Sequence, residues 1–201
     1  MKDFLFIVPA RAGSKRLPDK NLLKLGNKTL LQWTDEALNK SFKKYEVLLT
    51  TDSIKIANQG KKASWNVPFL RPKILSEDKT DTLDVVLHAL NWRINNGLKD
   101  PKYVMLLQLT SPFRSAENIL TACKLLKSNK KINAVIGVSY LRHKMKNYYI
   151  INKNKLSKIS DKNIDDDNTM VQPTGAIYAI KTHILRKYLT FVPPNTYPLL
   201  M

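Results

Sequence analysis

A single cysteine, three histidines and an absence of acidic residues after Asp167 set the first limits on this 201-residue chain. One thiol, Cys123, cannot build a disulfide framework or a cysteine-ligated metal site. It reads as a small buried apolar residue on a helix. His88, His143 and His183 are scattered and give no metal-ligand spacing. No apolar stretch approaches the length that spans a bilayer, and the short run after Met1-Lys2-Asp3 is not flanked as a secretory leader would be. These absences point to a cytoplasmic protein that does not enter a membrane. With six glycines, the chain also lacks the G-x-x-x-x-G-K-[ST] spacing of a Walker loop.

What is present is a core and a large positive charge. Apolar residues make up 43% of the chain, which argues against disorder. The formal net charge is +18, from 34 Lys+Arg against 16 Asp+Glu. The lysines are spread along the chain rather than gathered in a block, and no nucleic-acid motif accompanies them. A small polyanionic ligand accounts for a local basic site equally well, and we expect no nucleic-acid partner.

Strand-like and helix-like segments alternate. Phe4–Val8 reads as a fully buried strand, Leu30–Leu38 as an amphipathic helix, and Glu46–Thr50 as a second strand. Helices follow from Ile54 to Ala63 and from a cap at Asp81 or Thr82 through Trp92. Tyr103–Leu107 is a third strand, Ser115 caps the next helix, and Ala134–Val138 is a fourth strand. Gly175–Ile180 returns as a strand, and His183–Leu189 as a short helix. The pattern predicts an α/β fold: a parallel sheet with helices on both faces. Residues 1–138 and 169–201 would form this domain. The polar, Lys/Asn-rich stretch 139–168 reads as an inserted hairpin-like arm.

Ligands of open parallel sheets sit beyond the carboxyl ends of the strands. The loop leaving the first strand is Pro9-Ala10-Arg11-Ala12-Gly13-Ser14-Lys15-Arg16-Leu17-Pro18-Asp19-Lys20-Asn21. Gly13 permits a close backbone turn. Backbone amides of Ala12, Gly13 and Ser14 could form an anion nest. Arg11, Lys15, Arg16 and Lys20 supply cations suited to a triphosphate.

This loop resembles, almost residue for residue, the signature P-A-R-x-G-S-K-R-L-P-x-K-N of the CMP-sialic acid synthetase (acylneuraminate cytidylyltransferase) family, which includes the legionaminic and pseudaminic acid relatives. Further segments match in order: Thr51-Asp52, Phe69-Leu70-Arg71-Pro72, Thr82–Leu90, Leu106–Arg114 and Pro173–Tyr178. The resemblance implies a Rossmann-like, mostly parallel sheet of the nucleotide-diphospho-sugar transferase type and a homodimer joined through the 139–168 arm. It implies a Mg²⁺-dependent reaction of CTP with a sialic-acid-like nine-carbon 2-keto sugar acid, giving CMP-sugar and pyrophosphate. Carried over by position, Arg11 and Lys20 would hold the triphosphate and act in catalysis. Lys15 and Asn21 would line the same site. Arg71, Thr80 and Thr82 would read cytosine and ribose. Gln108, Thr110 and Tyr178 would face the sugar acid.

Two departures accompany the resemblance. Leu109 stands where the family usually has proline, and the family's Asp-x-Asp segment, which binds Mg²⁺, is absent before Met201. The protein ligands of the metal are therefore unknown, and the expectation is a truncated chain with weak activity or none alone. Asp165-Asp166-Asp167 reads as a solvated acidic turn rather than a substitute. The alternatives are activation of another keto sugar acid, such as 3-deoxy-manno-octulosonate, and a non-catalytic nucleotide-binding relative.

Overall fold

The computed structural model describes residues 3–13, 17, 20–140, 149–152, 154–158 and 169–201. In chain order, β1 is Phe4–Pro9, β2 Lys24–Leu25, β3 Lys28–Thr29, α1 Leu30–Ser41, β4 Glu46–Thr50 and α2 Ile54–Lys62. Next come α3 Thr82–Asn95, β5 Tyr103–Leu106, α4 Ala116–Ser128 and β6 Ala134–Tyr140. The chain continues through β7 Tyr149–Asn152, β8 Lys155–Lys158, β9 Thr169–Lys181, α5 Thr182–Tyr188 and β10 Thr196–Leu200.

The main sheet runs β4-β1-β5-β9-β6-β10. β1 pairs parallel with both β4 and β5, and β6 pairs parallel with β10. β9 is antiparallel to both of its neighbours. The sheet is therefore mixed, as mostly parallel α/β folds with one reversed strand often are.

Period-two alternation in β1 explains the two-sided core. Phe4, Phe6 and Val8 pack on one face with Leu31 and Leu38 of α1 and Ile119, Ala122 and Cys123 of α4. Leu5 and Ile7 pack on the other face with Val86, Ala89 and Leu90 of α3 and Leu185 of α5. A strand buried on both faces has no polar position to spare, hence its continuous apolar run. Cys123 is fully buried, and burial pushes its thiol up to about 12.

Local chemistry fixes the helix starts. The Thr29 side chain accepts from the Gln32 amide, and the Gln32 side chain reaches back to the Thr29 amide, closing a capping box on α1. Ser115 and Asn118 do the same for α4, and Asp81 caps α3 by accepting from the Leu83 amide.

Three elements depart from the sequence expectation. β9 is 13 residues long and begins well before Gly175. A register shift against β6, between Ile136 and Val138, absorbs the Pro173-Thr174-Gly175 corner within it. β10 was hidden by Pro198, which an edge strand tolerates because its amide side can face away from the ladder. The small β2–β3 ribbon was also missed. Of the expected 139–168 arm, β7 and β8 form a hairpin that joins the sheet through β9. His143 and Asp165–Asp167 lie outside the described residues.

Candidate functional site

The chain leaves β1 toward β4 on one side and later places β5 on its other side. Strand order reverses at β1, and the crevice beyond its carboxyl end is where such sheets bind ligands. A cleft of about 290 Å³ opens there. Arg11, Lys20 and Asn21 from the β1 loop reach it, as do Arg71, Thr80 and Thr82 from the second wall. Gln108 and Thr110 from the loop after β5 complete it. The structure thus brings together most of the residues the sequence nominated.

The first wall is pinned by its backbone. The Asn21 side-chain amide donates to the Arg11 carbonyl at 3.0 Å, tying the two ends of the basic loop. The Ala10 amide donates to the Thr50 carbonyl, extending the β1–β4 ladder one step further. The Ala12 amide donates to Asp52 Oδ1 at 2.8 Å. That amide was expected to contribute to an anion nest; a carboxylate already occupies it. Gly13 is exposed and edges a second groove shared with Arg11 and residues 76–79. Ser14 and Lys15, with Arg16, lie outside the described residues.

The second wall is the segment 71–82. The Arg71 amide donates to the Thr51 carbonyl at 2.7 Å, hanging the segment on the end of β4. The Arg71 side chain is 6% exposed, and its Nε donates to Ser76 Oγ at 3.1 Å. Burial lowers the pKa of this guanidinium; Asp52 acts against that shift and Arg11 adds to it. Arginine stays charged regardless. The Thr80 hydroxyl donates to the Ile74 carbonyl, folding the segment onto itself before Asp81 caps α3. Thr82 therefore lies in the first turn of α3, where helix amides favour a negative ligand.

One carboxylate stands against the cations. Arg11 Nη2 lies 2.7 Å from Asp78 Oδ1. A polyphosphate must take Arg11 from Asp78, so Asp78→Asn is expected to tighten inorganic tripolyphosphate binding by up to about fivefold, the scale of a half-exposed ion pair. Calorimetry at low salt checks this; weaker binding in the variant would show that the carboxylate helps to hold the anion.

The third wall is the Gln108–Arg114 loop. The Ser111 hydroxyl donates to the Thr174 carbonyl at 3.2 Å. Gly175, at φ +75°, adopts a backbone conformation that favours glycine. A Cβ there would come within 2.7 Å of Gln108 Oε1, so the glycine makes room for that side chain.

Tyr178 does not line the cleft. It pairs in register with Leu106 and Ile136, and its ring lies 5.4 Å from that of Phe191. Burial raises its phenol pKa, with Tyr149 adding to the shift. His88 packs edge-on against Phe69, and burial together with Arg71 lowers its pKa.

Among the described residues, no three His, Cys, Asp or Glu side chains come together to hold a metal ion. Glu77 and Asp78 are the carboxylates of the cleft lining, and Asp78 faces Arg11. Asp52, Asp78 and Arg114 shape the site but were not among its sequence-nominated residues. Of the two aspartates, Asp52 was legible as an acid near the sheet's functional edge, in the matching Thr51-Asp52 pair, and Asp78 gave no signal.

A cytidylyltransferase family profile matches residues 5–197. The N-acylneuraminate cytidylyltransferase of Escherichia coli O18:K1:H7 is 35% identical over 187 residues, covering 89% of this chain and 42% of that protein. The CMP-N,N'-diacetyllegionaminic acid synthase of Legionella pneumophila is 38% identical over 136 residues, covering 67% of this chain and 57% of that protein. The chain thus spans about half the length of these relatives. Among solved structures, CMP:2-keto-3-deoxy-manno-octonic acid synthetase complexed with CTP aligns with a TM-score of 0.74 at 14% identity, covering 98% of this chain and 90% of the other. The 4-diphosphocytidyl-2C-methyl-D-erythritol synthase of Anaerococcus prevotii aligns with a TM-score of 0.63 at 16% identity, covering 99% and 89%. At these identities the structural likeness establishes the fold.

Proposed function

The chain belongs to the cytidylyltransferase family, and on that premise we propose that its cleft joins CTP to a sialic-acid-like nine-carbon 2-keto sugar acid, releasing pyrophosphate. The observation that carries this reading is the convergence of Arg11, Lys20 and Arg71 with Gln108 and Thr110 at the carboxyl end of β1. The Arg11 and Lys20 cations of the first wall suit a triphosphate, Arg71 with Thr80 and Thr82 on the second suits base and ribose, and amide and hydroxyl groups on the third suit a polyhydroxylated acid.

In the proposed reaction the sugar's anomeric oxygen attacks the α-phosphorus. A new P–O bond forms as the bond to the bridging oxygen of the β-phosphate breaks, and pyrophosphate leaves. The hydroxyl proton passes to solvent. Arg11 and Lys20 neutralise charge on the triphosphate and on the departing pyrophosphate. Arg71, Thr80 and Thr82 hold base and ribose, and Gln108 and Thr110 orient the acid. No covalent intermediate is needed; positioning and charge stabilisation supply the rate.

Among the described residues no three His, Cys, Asp or Glu side chains gather to cage a metal ion, and magnesium usually takes only one or two carboxylates together with substrate phosphates. We assign the ion to the nucleotide, arriving as its CTP complex, and chelation should then abolish turnover. The reading also includes a homodimer formed through the 139–168 arm and a cytoplasmic setting. The ordered sequence resemblance supports the first, and the use of CTP supports the second.

The test is pyrophosphate release by the chain with CTP, Mg²⁺ and, in turn, N-acetylneuraminic, legionaminic and pseudaminic acid. Release that depends on one of these acids supports the proposal and names the substrate. CTP binding without release with any of them would overturn it in favour of a non-catalytic nucleotide-binding protein.

A further inference from the structure

Arg114 is 4% exposed, whereas most other cations among the described residues reach solvent. Its Nη2 donates to the carbonyl of Gln108, and to that of Ser111 at 2.9 Å. Those two carbonyls bracket the turn that carries Gln108 and Thr110 into the cleft, and the Ser111 amide closes the same turn by donating back to the Gln108 carbonyl at 3.2 Å. Arg114 Nε and Nη1 are buried with no hydrogen-bond partner among the described residues. Burial without an opposing carboxylate pulls the guanidinium pKa down to about 10.

A buried cation with idle donors is a poor way to gain stability. Desolvating the charge costs more than two carbonyl contacts return, and an apolar side chain of similar volume would fill the space at less cost. What a single guanidinium nitrogen can do, and an apolar group cannot, is clamp two carbonyls of one turn at once. The turn is held from its other side as well. Ser111 Oγ donates to the Thr174 carbonyl, and Thr174 Oγ1 donates to the Gly137 carbonyl at the register shift between β6 and β9. The Gln108 side chain is thereby aimed past Gly175, where there is no Cβ to block it.

We propose that Arg114 is a positioning residue for the sugar-acid side of the cleft, acting through the Gln108–Ser111 turn and not through the nucleotide. This rests on the function proposed above. Arg114 touches neither substrate; it sets where Gln108 and Thr110 stand.

The experiment compares Arg114→Met, Arg114→Lys and Ser111→Ala with the unaltered chain. It measures CTP affinity by calorimetry, sugar-acid affinity on the CTP-loaded protein, KM and kcat for each substrate, and amide hydrogen exchange across residues 107–111. Arg114→Met should raise the sugar-acid KM and Kd about tenfold, the loss expected of one well-made hydrogen bond, and speed exchange in the turn. CTP affinity should stay within about twofold, on the same scale. Lysine should recover part of the loss, and Ser111→Ala should shift the sugar-acid constants in the same direction by a smaller factor. Should Arg114→Met fail to fold, the Lys and Ala variants carry the comparison. Equal losses for CTP and sugar acid, or unchanged sugar-acid constants in folded variants, would overturn the assignment while leaving the proposed function standing. An unaltered chain that binds CTP but no sugar acid, or neither, would remove the functional reading and this proposal with it.

Discussion

Replacing Arg71 by methionine is expected to weaken CTP binding by about 30-fold to several thousand-fold, the range that follows from losing one buried charge contact of about 2–5 kcal/mol. Arg71 is 6% exposed, hangs from the end of β4 through its own amide, and presents its guanidinium to the cleft beside Ser76. Its charge is already stripped of most of its water before any ligand arrives, so little further desolvation opposes a contact with the nucleotide. The fold should survive, because methionine fills similar volume and removes a buried charge whose Nε donates to Ser76 Oγ. The informative comparison is with inorganic tripolyphosphate. If Arg71 serves the base and ribose, its loss should barely change tripolyphosphate affinity, whereas Arg11→Met should lose tripolyphosphate and CTP alike. Parallel calorimetric titrations of both ligands against both variants decide the matter. Unchanged CTP affinity in a folded Arg71→Met protein would show that the nucleotide does not reach the 71–82 wall.

The parts of this site that were legible in the sequence are those encoded locally. Phe4–Val8 is apolar without interruption because β1 is buried on both faces, and the basic loop follows it immediately. Asp81 and Ser115 announced helix starts because a side-chain oxygen must satisfy exposed amides. What could not be read depended on partners far along the chain. Asp78 carries no sign in its own neighbours that it faces Arg11. Asp52 was an acid at the end of a strand, and only the fold shows it taking the Ala12 amide. Arg114 was legible only as the last residue of the matching Leu106–Arg114 segment, and the turn it clamps is visible only once the β5 loop closes.

For Tyr178 the motif and the period carry different information. The motif carried it to the sugar acid. The alternation in β9 sends Ile177 and Ala179 to the face covered by α1 and α4, and Tyr178 and Ile180 to the face covered by α3 and α5. Its register partner Leu106 is the last residue of β5, so Tyr178 stands at the carboxyl end of that strand, outside the cleft lining, with its ring against Phe191. β9 itself was underestimated because a proline and a glycine punctuate it, and a bulge lets a strand continue through residues that ordinarily end one.

The site depends on β1 holding its register, and Phe6 is where that dependence should be largest. Phe6 is fully buried, pairs with Val47 on β4 and Met105 on β5, and meets the ring of Phe42 at 5.5 Å and the edge of Tyr45 at 6.4 Å. Phe6→Ala removes a whole ring from the centre of the larger core, between strands that cannot collapse onto the gap without breaking the ladder. The expected loss is about 3–5 kcal/mol. For a chain of this size that corresponds to a fall in Tm of roughly 6–20 °C. Since native domains keep only about 5–15 kcal/mol, the variant should sit near the edge of unfolding at 37 °C. Leu120→Ala is the control: Leu120 is 40% exposed on α4, and its loss should stay within about 0.5 kcal/mol. Denaturant titration of both variants, with CTP affinity measured at a temperature where each is folded, separates two roles. A large stability loss with CTP affinity nearly intact would show that β1 supports the cleft as a rigid strut. A loss below about 1 kcal/mol would mean that Phe6 is not packed between β4, β5 and the α1–α4 layer, and that the placement of the Arg11 loop at the end of β1 needs another explanation.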